Sequence, residues 1–115
     1  MIEKEYDFTG YHEAQLIQGL FGQKYDTLIN LLNNIQKQKL KNIIDIYLKG
    51  LDYRNCEIVK LFYGIDEIFP FSIEEIENVF NINSECIELI KDESLCELKN
   101  LGLEKRLDEF FGIKR

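Results

Sequence analysis

The stretch that decides the fold is SIEEIENVFNINSECIELI, residues 72–90. Ser72, with a glutamate three residues later, forms a capping-box pattern, which predicts a short helix to about Phe80. Asn81 tolerates the left-handed backbone that a tight helix-to-helix turn requires, and Asn83 is a strong N-cap for a following helix. A short helix, a three-residue turn and a longer helix are together the layout of a helix-turn-helix.

Helical spacing of apolar residues and suitable end residues predict further helices on both sides of this corner. We expect them over about residues 11–21 and 24–49, from just after Asp52 to Gly64, and over about residues 103–111. Proline occurs once, and no segment shows the apolar/polar alternation of a half-buried strand. The sequence therefore predicts an all-α fold, a small helical bundle containing a helix-turn-helix.

We divide the chain into an N-terminal helical extension, residues 1–50, and a helix-turn-helix domain, residues 51–115. The net charge of −7 is spread unevenly between these parts. Residues 1–50 carry six acids and six bases, whereas residues 70–115 carry eleven acids and six bases. The acidic end has the wrong sign for binding phosphates.

The composition does not favour an enzyme or a metal protein. Three cysteines without a CxxC pair and a single histidine, His12, lack the paired ligands of a zinc site. Neither a glycine-rich phosphate loop nor a nucleophile–base pair is present, and we expect His12 beside Glu13 to be exposed at a helix start. We therefore expect no cofactor, no metal and no catalytic residues.

We also expect a cytoplasmic protein without a membrane segment. No apolar run approaches the roughly 18 residues of a membrane span. The first residues, Met1–Glu5, lack the basic start and apolar stretch of a signal peptide.

In unbroken order, residues 51–111 resemble region four of housekeeping-type bacterial sigma factors. LDYRNCEIVKLFYGID, residues 51–66, is similar to that family's L-T-P-R-E-x-x-V-L-x-x-R-[FY]-G-L-D. FSIEEI (71–76), FNINSECI (80–87) and SLCELK (94–99) resemble its T-L-E-E-[IV], L-G-V-[ST]-R-E-R-[VI] and A-L-R-K-L-R segments. The resemblance implies a transcription protein that contacts the RNA polymerase core and promoter DNA.

The departures from the family pattern fall on one surface. In the family, arginines of the recognition helix contact phosphates and base edges of the promoter. Here those positions hold Ser84, Cys86 and Glu88, the family's glutamine is Leu89, and Phe62 replaces an earlier arginine. Counting 100° per residue from an inward Ile87, the outward face of this helix carries three acids and one leucine. We take as the DNA- or partner-binding face the residues Ser84, Glu85, Glu88, Leu89 and Asp92.

Two functional hypotheses follow. The first is a sigma-like initiation or regulatory protein that docks on RNA polymerase and retains some promoter contact. The chain is too short to hold the promoter-melting domain as well, so we expect half of a split factor, part of a longer protein, or a sigma-like regulator. The second is an interaction module or antagonist that binds a basic protein partner through the acidic face and does not bind DNA.

The role of the N-terminal part is left open between two alternatives. The helix expected over residues 24–49 has apolar residues on more than one side. It either packs over the helix-turn-helix or pairs with a second copy to form a homodimer.

Overall fold

A computed structural model describes residues 10–114, and this range forms seven α-helices and no strand. The all-α prediction is therefore confirmed. The helices are α1 (Tyr11–Phe21), α2 (Asp26–Asn30), α3 (Asn34–Leu48), α4 (Tyr53–Tyr63), α5 (Ile73–Phe80), α6 (Ser84–Asn100) and α7 (Leu103–Phe111). The first nine residues of the predicted N-terminal extension, including Met1–Glu5, lie outside the described residues, as does Arg115.

The prediction of one continuous helix over residues 24–49 is wrong. The chain breaks at residues 31–33, and α3 begins with its own capping box. The backbone N–H of Gln36 donates to Asn33 Oδ1 at 2.8 Å, and the backbone N–H of Asn33 donates to Gln36 Oε1 at 3.0 Å. These bonds satisfy backbone donors at the start of α3, and the break leaves Leu31 and Ile35 exposed.

Most buried apolar residues form one large core to which helices from both ends of the chain contribute. Helices α1 and α3 supply Leu16, Ile17, Leu40 and Ile44, and α7 supplies Leu107. Residues on both sides of position 50 therefore pack together, so the extension and the helix-turn-helix part share a hydrophobic interior.

A second, smaller core lies between α4, α5 and α6. Its fully buried members are Ile58, Ile76 and Ile87. Helix α4 contacts both cores, because Val59 faces the large core while the adjacent Ile58 faces the small one. Helix α6 does the same along its length, with Ile87 in the small core and Leu98 in the large one.

The start of α1, with His12 and Glu13, is buried, contrary to the expectation that His12 is exposed. Their relative exposures are 5% and 3%. The α4–α5 loop covers His12, since a Cβ built on Gly64 would lie 3.1 Å from His12 Nδ1. Gly64 also has φ +78°, so both its conformation and its surroundings require glycine. Sequence reasoning could not anticipate this loop contact between distant segments.

An ion-pair network connects α1, α3, α4 and the α4–α5 loop. Lys41 Nζ lies 2.8 Å from Asp66 Oδ1 and 3.2 Å from Glu13 Oε2, and Lys60 Nζ lies 2.8 Å from Asp66 Oδ2. The hydrogen bonds from Lys41 and Lys60 lower the pKa of Asp66 below its ordinary value. The network therefore joins the N-terminal helices to the helix-turn-helix part.

Tyr25 makes the corresponding connection to α7. Its side chain is fully buried and stacks on Phe111, with ring centroids 5.4 Å apart. Its hydroxyl donates to Asp108 Oδ1 at 2.6 Å, and Lys24 Nζ lies 3.2 Å from the same oxygen. Burial, together with the Asp108 hydrogen bond, raises the pKa of Tyr25 to about 12, so the hydroxyl keeps its proton and remains a donor.

We predict that Asp66→Asn destabilises the protein at neutral pH and that the deficit disappears in acid. The folded-state pKa of Asp66 is lowered, so its ion pairs stabilise the folded protein fully above its unfolded pKa near 4. This stabilisation is lost as pH falls through the lower folded pKa. Asn tolerates the positive φ of 69° at this position, so the backbone is preserved. Urea unfolding at a series of pH values measures the difference. Glu67→Gln, at an exposed neighbouring carboxylate, is the control; equal curves for the two variants would refute the prediction.

Tyr25→Phe should lower the free energy of unfolding by about 1–3 kcal/mol, because it removes the buried hydroxyl donor to Asp108 while keeping the ring packing. Urea unfolding at pH 7 measures the change. Tyr53→Phe is the matched control, since Tyr53 is 80% exposed and should change stability by less than about 0.5 kcal/mol. Indistinguishable effects of the two variants would contradict a structural role for the Tyr25–Asp108 bond.

Candidate interaction surface

The corner between α5 and α6 is built from the polar residues on which the sequence prediction depends. Ser72 caps α5: the backbone N–H of Glu75 donates to Ser72 Oγ at 3.1 Å, and Glu75 Oε1 accepts from the Ser72 N–H at 2.8 Å. Asn81 ends α5 in the left-handed conformation, with φ 57° and ψ 45°. Asn83 then caps α6 by accepting from the Cys86 N–H at 2.9 Å. The three-residue turn redirects the chain between the two helices.

Apolar contacts determine which face of α6 points outward. Ile87 is fully buried and Ile90 is 8% exposed, both in the small core with Ile58 of α4 and Ile76 of α5. Ile82, in the middle of the turn, packs against the same core. The turn and these isoleucines together fix the rotation of α6 about its axis.

The outward face of α6 carries the residues that the sequence assigns to it. Glu85, Glu88 and Asp92 are exposed, and Leu89 between them is 57% exposed. Ser84, at the first position of α6, is half-buried. The structure thus brings three carboxylates and one leucine together on a single helical surface.

Lys91 is a feature of this surface that the sequence reasoning missed. It is the only basic side chain between residues 72 and 98, a stretch that also holds eight carboxylates. Its Nζ lies 2.9 Å from Asp92 Oδ1, 3.8 Å from Glu88 Oε1 and 4.9 Å from the centre of the Phe62 ring. Burial opposes the charged form, but the Asp92 hydrogen bond outweighs it and raises the pKa of Lys91. In the sequence, the three-residue spacing of Glu88 and Lys91 on one helix could have indicated this ion pair.

The position of Lys91 determines the charge that the surface offers to a partner. Its side chain is only 15% exposed, since it lies over Phe62, where the sigma pattern has arginine. The Lys91 ammonium group is therefore engaged by the Phe62 ring and by the carboxylates of Glu88 and Asp92. Glu85 remains without an ion pair to any described residue. The surface thus has negative potential around an exposed leucine.

The thiols and acids of the described residues form no further site. No group of three His, Cys, Asp or Glu side chains within residues 10–114 is arranged to hold a metal ion. Cys56 is buried, and burial raises the pKa of its thiol. Cys86 and Cys96 lie exposed on α6 as free thiols.

Comparison of the chain with protein-family models, with curated proteins and with solved structures gave no match. The likeness to sigma region four therefore depends on the residues quoted above. A further search found that no helix within residues 10–114 is long and apolar enough to cross a membrane.

Asn81→Gly should leave stability nearly unchanged, whereas Asn81→Ala should cost about 1 kcal/mol. Alanine pays the steric cost of the left-handed backbone seen at this residue, and glycine does not. Thermal or urea unfolding of both variants measures the difference. Equal stability of the alanine and glycine variants would show that the turn does not need a left-handed residue at position 81.

Proposed function

We propose that this chain is a sigma-like transcription protein that acts through its region-four-like helix-turn-helix, docks on the RNA polymerase core and makes little base-specific contact through α6. Its site of action would be the cytoplasm. The proposal combines the ordered resemblance of residues 51–111 with the surface chemistry described above.

Two features support a polymerase contact. The α4–α6 unit has its own small core, so it can present its surfaces rigidly to a partner. The family docks through apolar surface near the first helices of region four, and apolar side chains are exposed in the corresponding part of this chain. Tyr53 at the start of α4 is 80% exposed, and Ile68 and Phe69 in the α4–α5 loop are 65% and 72% exposed. Such side chains suit a protein interface better than they suit water.

The single observation that carries the proposal is the unbroken order of the sigma-like segments from Leu51 to Phe111. The acidic outward face of α6 then argues against base reading. A helix that enters the major groove must face phosphates on both sides, and binding gains its free energy from lysines and arginines that displace counterions. This face carries negative charge instead, from Glu85, Glu88 and Asp92. The only nearby cation on α6, Lys91, already contacts Phe62, Glu88 and Asp92. Each bidentate arginine–guanine contact that is missing forfeits about 1–3 kcal/mol of discrimination. Protein contact is therefore favoured over base reading for this surface.

The same surface supports a second candidate, an antagonist that binds a basic protein. An exposed leucine bordered by Glu85, Glu88 and Asp92 offers an apolar contact within a negative field. Complementary charge speeds association and selects among partners. The partner would be a basic site on polymerase, on a sigma factor or on an activator, and DNA would not be bound.

We expect the purified chain to be retained on immobilised core RNA polymerase at low salt. Glu85→Lys/Glu88→Lys should weaken retention at least tenfold if the acidic face makes the contact, because the variant reverses two charges. Ile68→Ser/Phe69→Ser should weaken it instead if the apolar loop makes the contact. Retention is measured as bound fraction against chain concentration.

The matched control is Glu74→Lys/Glu109→Lys, which makes the same charge change at exposed sites at the start of α5 and on α7. Circular dichroism checks that each variant folds. Absence of retention of the unaltered chain at low salt would refute polymerase docking. Equal loss in the control and in the α6 variant would show that net charge, not this face, governs binding.

A further inference from the structure

The described residues before position 51 differ from the helix-turn-helix part in holding few carboxylates. Residues 10–50 hold five lysines and three carboxylates, whereas residues 51–114 hold seven bases and fifteen carboxylates. Four of the five lysines lie in α3 or directly after it, within residues 37–49. Within the described residues, positions 10–50 therefore carry two more bases than acids, whereas residues 1–50 as a whole are neutral.

Helix α3 has one buried face and one solvent face. Leu40, Ile43, Ile44 and Leu48 are buried in the large core, and their spacing sets one side of the helix inward. The opposite side contains no acid and is exposed at every position. Its residues are Ile35, Gln38, Lys39, Asn42, Ile46 and Lys49.

The three carboxylates within residues 10–50 already have partners. Glu13 and Asp45 lie 3.2 Å and 3.8 Å from Lys41 Nζ, which belongs to the network with Asp66. Asp26 accepts a hydrogen bond from Gln18 Nε2 at 3.2 Å. By contrast, Lys39 and Lys49 form no ion pair with any residue between 10 and 114. In the part of the chain that the structure describes, no carboxylate occupies their ammonium groups.

The elements around α3 repeat the order of the α5–α6 corner. A short helix, α2, is followed by the three residues 31–33 and then by the longer α3. Leu32 in the middle of this turn packs on the large core, as Ile82 packs on the small one, and Asn33 caps α3 as Asn83 caps α6. The turns differ in one respect, since Leu31 is right-handed where Asn81 is left-handed. The corner still presents the outer face of α3 on a scaffold packed against α1.

From these observations we infer that the outward face of α3 binds duplex DNA. Lys39 and Lys49 pair with phosphates. Gln38 and Asn42 lie one turn apart, joined by a 3.2 Å hydrogen bond from Gln38 Nε2 to Asn42 Oδ1. Carboxamides are the side chains that pair with adenine edges in the major groove.

The same face fits a duplex better than the other partners of a cationic helix. Ile35 and Ile46 are 70% and 68% exposed, and apolar side chains contact thymine methyl groups in the major groove. The major groove of B-form DNA admits an α-helix, whereas that of A-form RNA is too narrow. This inference goes beyond the proposed polymerase contact and uses a different surface, so either can fail without the other.

A salt-dependent titration tests the inference. The probe is a fluorescent mixed-sequence duplex of about three helical turns, roughly 30 base pairs, with a single strand and an RNA duplex of the same sequence as comparisons. Two neutralised phosphates give a slope of about −1.8 in log affinity against log salt, a loss of about 12-fold between 50 and 200 mM. Lys39→Ala/Lys49→Ala should bring the slope close to zero and abolish most of that loss. Gln38→Ala/Asn42→Ala should leave the slope unchanged and reduce any preference for A·T-rich duplexes.

The matched control is Lys105→Ala/Lys114→Ala, which removes two exposed lysines on and after α7 and should keep the unaltered chain's slope. The inference is overturned if the unaltered chain shows no salt-dependent binding to the duplex at 50 mM salt. It is also overturned if the control loses as much binding as the α3 variant, or if the RNA duplex binds as tightly as DNA. Light scattering tests the alternative that this face binds a second copy of the chain. If the protein is a dimer that does not bind DNA, and Lys39→Ala/Lys49→Ala dissociates the dimer, the face is a dimer interface and the inference is wrong.

Discussion

Burial of α4 on both sides is the constraint on which the rest of the structure depends. Ile58 and Val59 are adjacent and fully buried, yet they face different cores. Rotation of α4 about its axis would therefore expose one of them to solvent. Gly64 ends the helix in the left-handed conformation and lets the following loop fold back onto His12. Helix α4 and the loop after it therefore help to fix the orientation of α6 relative to α3.

Charged and polar contacts reinforce this arrangement at its edges. The Lys41–Asp66–Lys60 network holds the α4–α5 loop against α1 and α3, and the Tyr25–Asp108 bond holds the N-terminal segment against α7. Both connect segments that are far apart in sequence. Such pairs gain from partial burial, since the surrounding protein lowers the local dielectric constant, and they align elements whose packing is already favourable.

A consequence of the arrangement is that charges of opposite sign occupy different helices. The outward face of α6 is acidic, with Lys91 over Phe62, while the outward face of α3 is cationic and rich in amides. A transcription protein with such a distribution would use its sigma-like helix for a protein partner and a different helix for nucleic acid. The proposed protein contact of α6 and the proposed DNA contact of α3 use different surfaces and are therefore compatible.

The sequence alone predicted the elements whose signals are local. Ser72, Asn81 and Asn83 define the α5–α6 corner because caps and left-handed turns depend on bonds within a few residues, and isoleucine spacing oriented α6. The break at Asn33 was hidden by an apolar pattern that continued across it, although the capping pair with Gln36 was present to be read. Only the tertiary structure decided the burial of His12 and Glu13, the place of Lys91 over Phe62, and the lack of an ion pair to Lys39 and Lys49 among residues 10–114. Each of these depends on a contact, or on the lack of one, between segments distant in the chain, and no local pattern encodes the distance between them.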